Sequence, residues 1–130
     1  MGSSLLRHIA TRSTMVPSPT VTVLMAVYNA ERWLGKAVDS VLAQAMPDFE
    51  LIVIDDGSTD GSSAILDGYG DPRVVRMTNE ANLGISRTLN RGLEAARGRY
   101  VARIDADDVM LPNRLREQVA FLDRNDDIGI

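Results

Sequence analysis

Arg103-Ile104-Asp105-Ala106-Asp107-Asp108 places three carboxylates within four positions, directly after the apolar run Tyr100 to Ile104. Carboxylates packed this closely repel, and each needs a partner or a cation. A divalent ion held by oxygen ligands at the rim of a sheet is the usual solution. An Asp-x-Asp pair such as Asp105 and Asp107 can hold Mg²⁺ or Mn²⁺ while the ion bridges two phosphate oxygens, since few protein ligands are needed when a substrate supplies the rest. An ion so placed neutralises charge on a departing phosphate. Asp108 lies shortly before an expected helix and reads as a residue favoured by a helix start.

A second acidic group is Asp55-Asp56-Gly57-Ser58. A carboxylate at a strand end can accept hydrogen bonds from a ribose hydroxyl or a base N–H, and Gly57 lets a ligand approach the backbone. Asp56 could equally order its own loop, as Asp does in Asx turns. Asp56, Ser58, Asp60, Gly61 and Asp67 also fall at calcium-loop spacing. A strand precedes them where a helix is needed, however, and Ser63 replaces the usual apolar residue, which argues against such a loop. After the first long apolar run comes Tyr28-Asn29-Ala30-Glu31-Arg32-Trp33, with no glycine-rich phosphate loop. That weakens a dinucleotide-binding reading and favours phosphate binding through a metal.

These groups need elements to carry them. Val21 to Tyr28 is almost continuously apolar and β-branched, as a strand buried on both faces requires. Asn29 is placed to cap the next helix, whose stripe is Leu34, Ala37, Val38, Val41, Leu42 and Ala45, with Pro47 beyond it. Glu50 to Asp55 is a second buried strand. A short helix runs through Leu66, and Val74 to Met77 is a third strand. Ile85, Leu89, Leu93 and Ala96 form another helical stripe, closed by Gly98 in the C′ role. Tyr100 to Ile104 is the fourth strand, and Pro112 fits the first turn of a last helix with Leu115, Val119 and Leu122 inward. The β-α-β-α-β-α-β-α order predicts an α/β fold with a doubly wound, mainly parallel sheet. Ligands of such sheets bind outside the carboxyl ends of the strands, and Tyr28-Asn29, Asp55 to Ser58 and Asp105 to Asp108 all fall there.

The 130 residues suit one domain. A net charge of −4 and a pI near 4.9 argue against a chain-wide grip on nucleic acid. The absence of cysteine excludes disulfides and thiolate metal sites. No apolar run approaches the roughly 20 residues of a membrane-spanning helix. Residues 1–20 are Ser- and Thr-rich, contain Arg7, His8 and Arg12, and lack acids. They read as a flexible leader, with a targeting presequence as the alternative. His8, the sole histidine, has no expected catalytic role there.

Val21 to Asn29, Asp55-Asp56-Gly57-Ser58-Thr59-Asp60, Asn82-x-Gly84 with Asn90-x-Gly92-Leu93, and Asp105-Ala106-Asp107-Asp108 with Pro112 occur in order. Together they resemble the nucleotide-binding half of a family 2 glycosyltransferase of the GT-A fold, from about Val21 onward. The resemblance implies a nucleoside-diphosphate-sugar donor (a UDP-sugar by family frequency), Mg²⁺ or Mn²⁺, and inversion at the sugar carbon. It implies a saccharide or lipid-linked acceptor and work on cell-envelope polysaccharide. It places Ala26 and Tyr28 at the base pocket, Tyr28 stacking on the ring, and Asp56 on the base edge. Asp105 falls at the ribose or metal region, Asp107 on the metal, and Asn82 to Gly84 near the diphosphate-sugar. Leu89 replaces the Arg that many relatives carry before the second Asn, so no phosphate contact is assigned to Arg87 or Arg91.

The resemblance also implies a longer protein, with the catalytic base beyond Ile130, within hydrogen-bond reach of the acceptor hydroxyl. Residues 21–130 then read as a truncated donor-binding domain whose open sheet edge favours a homo-oligomer. The expected location is the cytoplasm, extending to the inner face of a membrane. A non-catalytic nucleotide-sugar binder or assembly module is the main alternative. Asp105-Ala106-Asp107-Asp108-Val109 also matches the nucleophile motif of haloacid-dehalogenase-like phosphatases, but these need a downstream lysine and the only lysine is Lys36. A receiver domain needs an acidic pair where Tyr28-Asn29 stands.

Overall fold

The structure is a computed structural model that describes the backbone of residues 5–7 and residues 18–125 in full. Among these, five strands form one sheet: β1 (Leu5–Arg7), β2 (Val21–Val27), β3 (Phe49–Asp55), β4 (Val74–Thr78) and β5 (Tyr100–Arg103), in the order β1-β5-β2-β3-β4. The pairings β5–β2, β2–β3 and β3–β4 are parallel. Helices α1 (Leu34–Leu42), α2 (Ser62–Asp67), α3 (Ile85–Ala95) and α4 (Arg114–Arg124) alternate with the parallel strands, as the order of apolar patterns requires.

Every residue of β3 is buried, which explains the apolar run Leu51 to Ile54 at its centre. Strand alternation divides the core between two faces. Val23 and Met25 of β2 join α1 and the Leu115, Val119 and Leu122 stripe of α4 in the larger cluster. Leu24, Ile52, Ile54 and Val101 meet Leu89 and Leu93 of α3 on the other face. Full burial of a leucine such as Leu115 or Leu34 contributes roughly 1.5–3 kcal/mol.

Several local expectations fail for identifiable reasons. Gly98 is not a left-handed helix end, since among the described glycines only Gly57 and Gly84 have positive φ. A Cβ at Gly98 would lie 2.3 Å from the Thr22 backbone nitrogen, so close packing of the α3–β5 turn on β2 accounts for the glycine. That turn is bolted down by Gly98 N–H donating to Thr22 Oγ1 at 2.8 Å and Arg97 N–H to Glu50 Oε2 at 2.8 Å. Pro112 lies before the α4 N-cap, Asn113, outside the first turn. Asp108 is six residues from the first residue of α4, in a turn closed by its N–H to the Asp105 carbonyl, so it has no helix-start role. β1 pairs antiparallel with β5, so the segment read as a flexible leader contributes a strand to the sheet. His8, with residues 1–4 and 8–17 of the stretch read alternatively as a presequence, lies outside the described residues.

Candidate functional site

The site lies where β2, β3 and β5 end, and its shape is set first by two interlocked loops. Asn29 follows β2 and takes φ 49°, a left-handed conformation that Asn tolerates better than most residues. It does not cap α1, whose N-cap is Trp33. Its Oδ1 instead accepts from Thr59 N–H at 2.8 Å and Asp60 N–H at 3.3 Å, while its own N–H donates to Ser58 Oγ at 3.0 Å. Ala30 N–H donates to Ser62 Oγ, and Gly61 N–H to Glu31 Oε2. Asp55 Oδ1 accepts from Ser58 N–H at 3.0 Å, a side-chain bond that ties the loop to the end of β3. With these bonds made, the loop backbone has partners without a glycine-rich turn, and Tyr28 is left half-exposed at the rim.

Gly57 is demanded twice over. Its φ is 72°, and a Cβ there would lie 2.8 Å from both Ala81 C and Asn82 N. The segment before α3 therefore passes directly over the glycine. Asp56, 3 % exposed, holds that segment: its Oδ1 accepts from Leu83 N–H at 2.7 Å and its Oδ2 from Gly84 N–H at 3.1 Å. Asn79 Nδ2 adds a further bond to Oδ1 at 2.8 Å. Burial by itself pushes the Asp56 carboxyl up, but donors at Leu83, Asn79, Thr88 and Gly84 together hold it below the usual carboxylate value. Of the two sequence readings of Asp56, loop ordering is thus directly visible.

The third strand end carries the acids. Carboxylate oxygens of Asp105, Asp107 and Asp108 all lie within 4.8 Å of one another. Hard oxygen donors at this spacing fit Mg²⁺ or Mn²⁺. Asp107 is exposed, and Asp105 and Asp108 are partly so, leaving room for ligands other than protein. Arg103 Nη2 donates to Asp105 Oδ1 at 3.2 Å, and its Nε–H is buried with no acceptor among the described residues. Downstream of the acids, Ser40 and Gln44 of α1 anchor the chain: Met110 N–H donates to Ser40 Oγ, Gln44 Nε2 to the Leu111 carbonyl, and Leu115 N–H to Gln44 Oε1.

A cavity of about 430 Å³ joins the three groups. Ala26, Tyr28, Asp56, Asn82, Gly84, Asp105 and Asp107 all line it, so every residue singled out from sequence for a nucleotide or metal reaches one space. Trp33, Ile85 and Arg103 line it as well and were not assigned there from sequence. Arg103 carried a legible signal, since residues two apart on an extended chain share a face and Asp105 follows it by two. Trp33 carried none, because the turn closed by its N–H to the Ala30 carbonyl returns it to the rim. Arg91 does not line the cavity and donates to Asn79 Oδ1. Among the described residues no helix is long and apolar enough to cross a membrane.

Comparison with known proteins bears on this geometry. The family description "Glycosyl transferase family 2" matches residues 22–130. EpsE of Bacillus subtilis, named as a glycosyltransferase, is 40% identical over 114 residues, covering 85% of this chain and 41% of EpsE. The succinoglycan biosynthesis protein ExoO of Rhizobium meliloti is 38% identical over 105 residues, covering 81% of this chain and 30% of ExoO. The chain thus spans less than half the length of these relatives. Among solved structures, S. aureus TarS in complex with UDP-GlcNAc superposes with a TM-score of 0.77 at 29% identity, over 81% of this chain and 31% of that one. The mannosyltransferase PcManGT from Pyrobaculum calidifontis, in complex with GDP-Man and Mn²⁺, gives 0.73 at 26% identity, over 90% and 34%.

Proposed function

The chain belongs to glycosyl transferase family 2, and from that membership we propose that it binds a nucleoside-diphosphate sugar as the donor for inverting transfer to a saccharide or lipid-linked acceptor. A UDP-sugar is the first candidate, and synthesis of cell-envelope polysaccharide the setting. The observation that carries this reading is the convergence of an exposed aromatic ring, a buried carboxylate and an acidic cluster on one cavity at the strand ends.

In this reading Tyr28 stacks on the base beside Ala26, and Asp56 faces the base edge. A base N–H reaching Asp56 must share a carboxylate that already holds Leu83 and Gly84, so base and loop are tied to one group. Asn82 and Gly84 then lie toward the diphosphate-sugar. Asp107 would ligate Mg²⁺ or Mn²⁺, with Asp105 beside it and Asp108 as a third carboxylate in reach. When bound, the cation supplies Lewis-acid neutralisation of the departing diphosphate. The Arg103 guanidinium balances Asp105 and keeps it oriented. None of Asp56, Asp105 or Asp107 takes the general-base role toward the acceptor.

Calorimetric titration with UDP, with and without Mn²⁺, tests the reading. The expected result is Mn²⁺-dependent binding that Asp107→Ala abolishes. Failure of UDP, GDP and TDP to bind under either condition would overturn it.

A further inference from the structure

We propose that Asn79 is a positioning residue of the donor site: its side-chain amide fixes the Asp56 carboxylate as the anchor of the Leu83–Gly84 backbone at the cavity. This rests on the donor-site reading for its consequence on nucleotide affinity, although the anchoring itself is independent of any ligand.

Asn79 follows β4 and is 3 % exposed. Its N–H donates to the Asp55 carbonyl at 2.8 Å, so its backbone is held by the sheet. Both amide protons are used: Nδ2 donates to Asp56 Oδ1 at 2.8 Å and to Thr88 Oγ1 at 3.0 Å. Its Oδ1 accepts from the Arg91 guanidinium of α3, which also reaches the Thr78 carbonyl at 3.4 Å. Charge settles the orientation of this amide. A flipped side chain would set its oxygen against a carboxylate and its NH₂ against a cation.

The chain of contacts thus runs Arg91, Asn79, Asp56, then Leu83 and Gly84. Asn79 does not line the cavity, whereas Asp56 and Gly84 do. One amide on a rigid strand end therefore orients a carboxylate that holds the Leu83 and Gly84 amides, beside the bond that Asn82 Nδ2 donates to the Asp56 carbonyl at 3.3 Å. Gly84, at φ 91°, has no side chain to hold it.

Asn79→Asp is the sharp test because it preserves shape and keeps an acceptor for Arg91. It removes the donor to Asp56 and sets two carboxylates side by side, so at neutral pH they repel, and on acidification a shared proton restores the bond. Arg91, Asp56 and the Thr88 hydroxyl are the charged and protic groups bonded to this side chain or beside it. In the absence of ligand, hydrogen exchange at the Leu83 and Gly84 amides should accelerate roughly tenfold in Asn79→Asp and Asn79→Ala at neutral pH, with the β2 and β3 amides unchanged. With UDP and Mn²⁺, the affinity of Asn79→Asp relative to wild type should fall about tenfold at neutral pH and recover on acidification.

Unchanged exchange at Leu83 and Gly84 overturns the proposal. So does an affinity ratio that is flat with pH, which is what mere loss of stability would give. If wild-type protein binds no nucleotide, the donor-site reading fails, and the exchange arm alone decides whether Asn79 anchors the segment.

Discussion

At the scale of single residues, the site depends on groups whose energetics are unfavourable until their neighbours are supplied. Asp56 is buried and charged, a state that persists only because its own chain delivers donors to it. Its carboxyl is held below its unfolded value, so its stabilising contribution is present above the ordinary carboxylate range. That contribution is lost as pH falls through the folded value. Asp56→Asn replaces an acceptor oxygen by a donor and orphans a buried N–H, which should cost roughly 1–3 kcal/mol at neutral pH. The difference from wild type should shrink on acidification, as urea denaturation at the two pH values would read. Asp56 was marked by its place after a strand. Its partners at Leu83 and Gly84 were not, because they lie 27 and 28 residues away and donate only backbone N–H groups.

At the scale of elements, glycines record where backbones cross. A Cβ on Gly92 would meet Ile54 Cδ1 at 2.9 Å and Leu24 Cδ2 at 3.0 Å, both ends of flexible side chains. A Cβ on Gly98 would meet the Thr22 backbone, which cannot yield without moving β2. Gly92→Ala should therefore stay within about 1 kcal/mol of wild type, since the helix propensity of alanine offsets the crowding. Gly98→Ala should cost roughly 1–3 kcal/mol or more. Urea midpoints of the two variants check the order, and equal midpoints would refute the reading of Gly98. The apolar stripes and buried runs of the sequence located the four parallel strands and the helices α1, α3 and α4, because burial demands those periods. Apart from β1, which was read as part of a leader, the errors fell at the ends, on Asn29, Gly98, Asp108 and Pro112, where tertiary contacts decide which residue caps, turns or packs.

At the scale of the whole molecule, three carboxylates gathered within 4.8 Å repel one another, a cost that a bound cation would offset. Asp107→Ala relieves that repulsion, so the metal-free variant should melt at or slightly above wild type. Mn²⁺ with UDP should stabilise wild type by roughly 2.7 kcal/mol at a hundredfold excess over Kd, and the variant should lose that increment. A metal-free melting temperature clearly below wild type would make Asp107 a structural residue. The sequence by itself determined the α/β order, the doubly wound parallel sheet and the residue types waiting at the strand ends, since each follows from local period and from chain direction. Only the tertiary structure decided that Asp56 holds the Leu83–Gly84 segment, that Asn79 and Arg91 stand behind it, and that Arg103 and Trp33 share the cavity. Those contacts join residues far apart in the chain, and their partners are backbone amides or side chains whose direction no local pattern encodes.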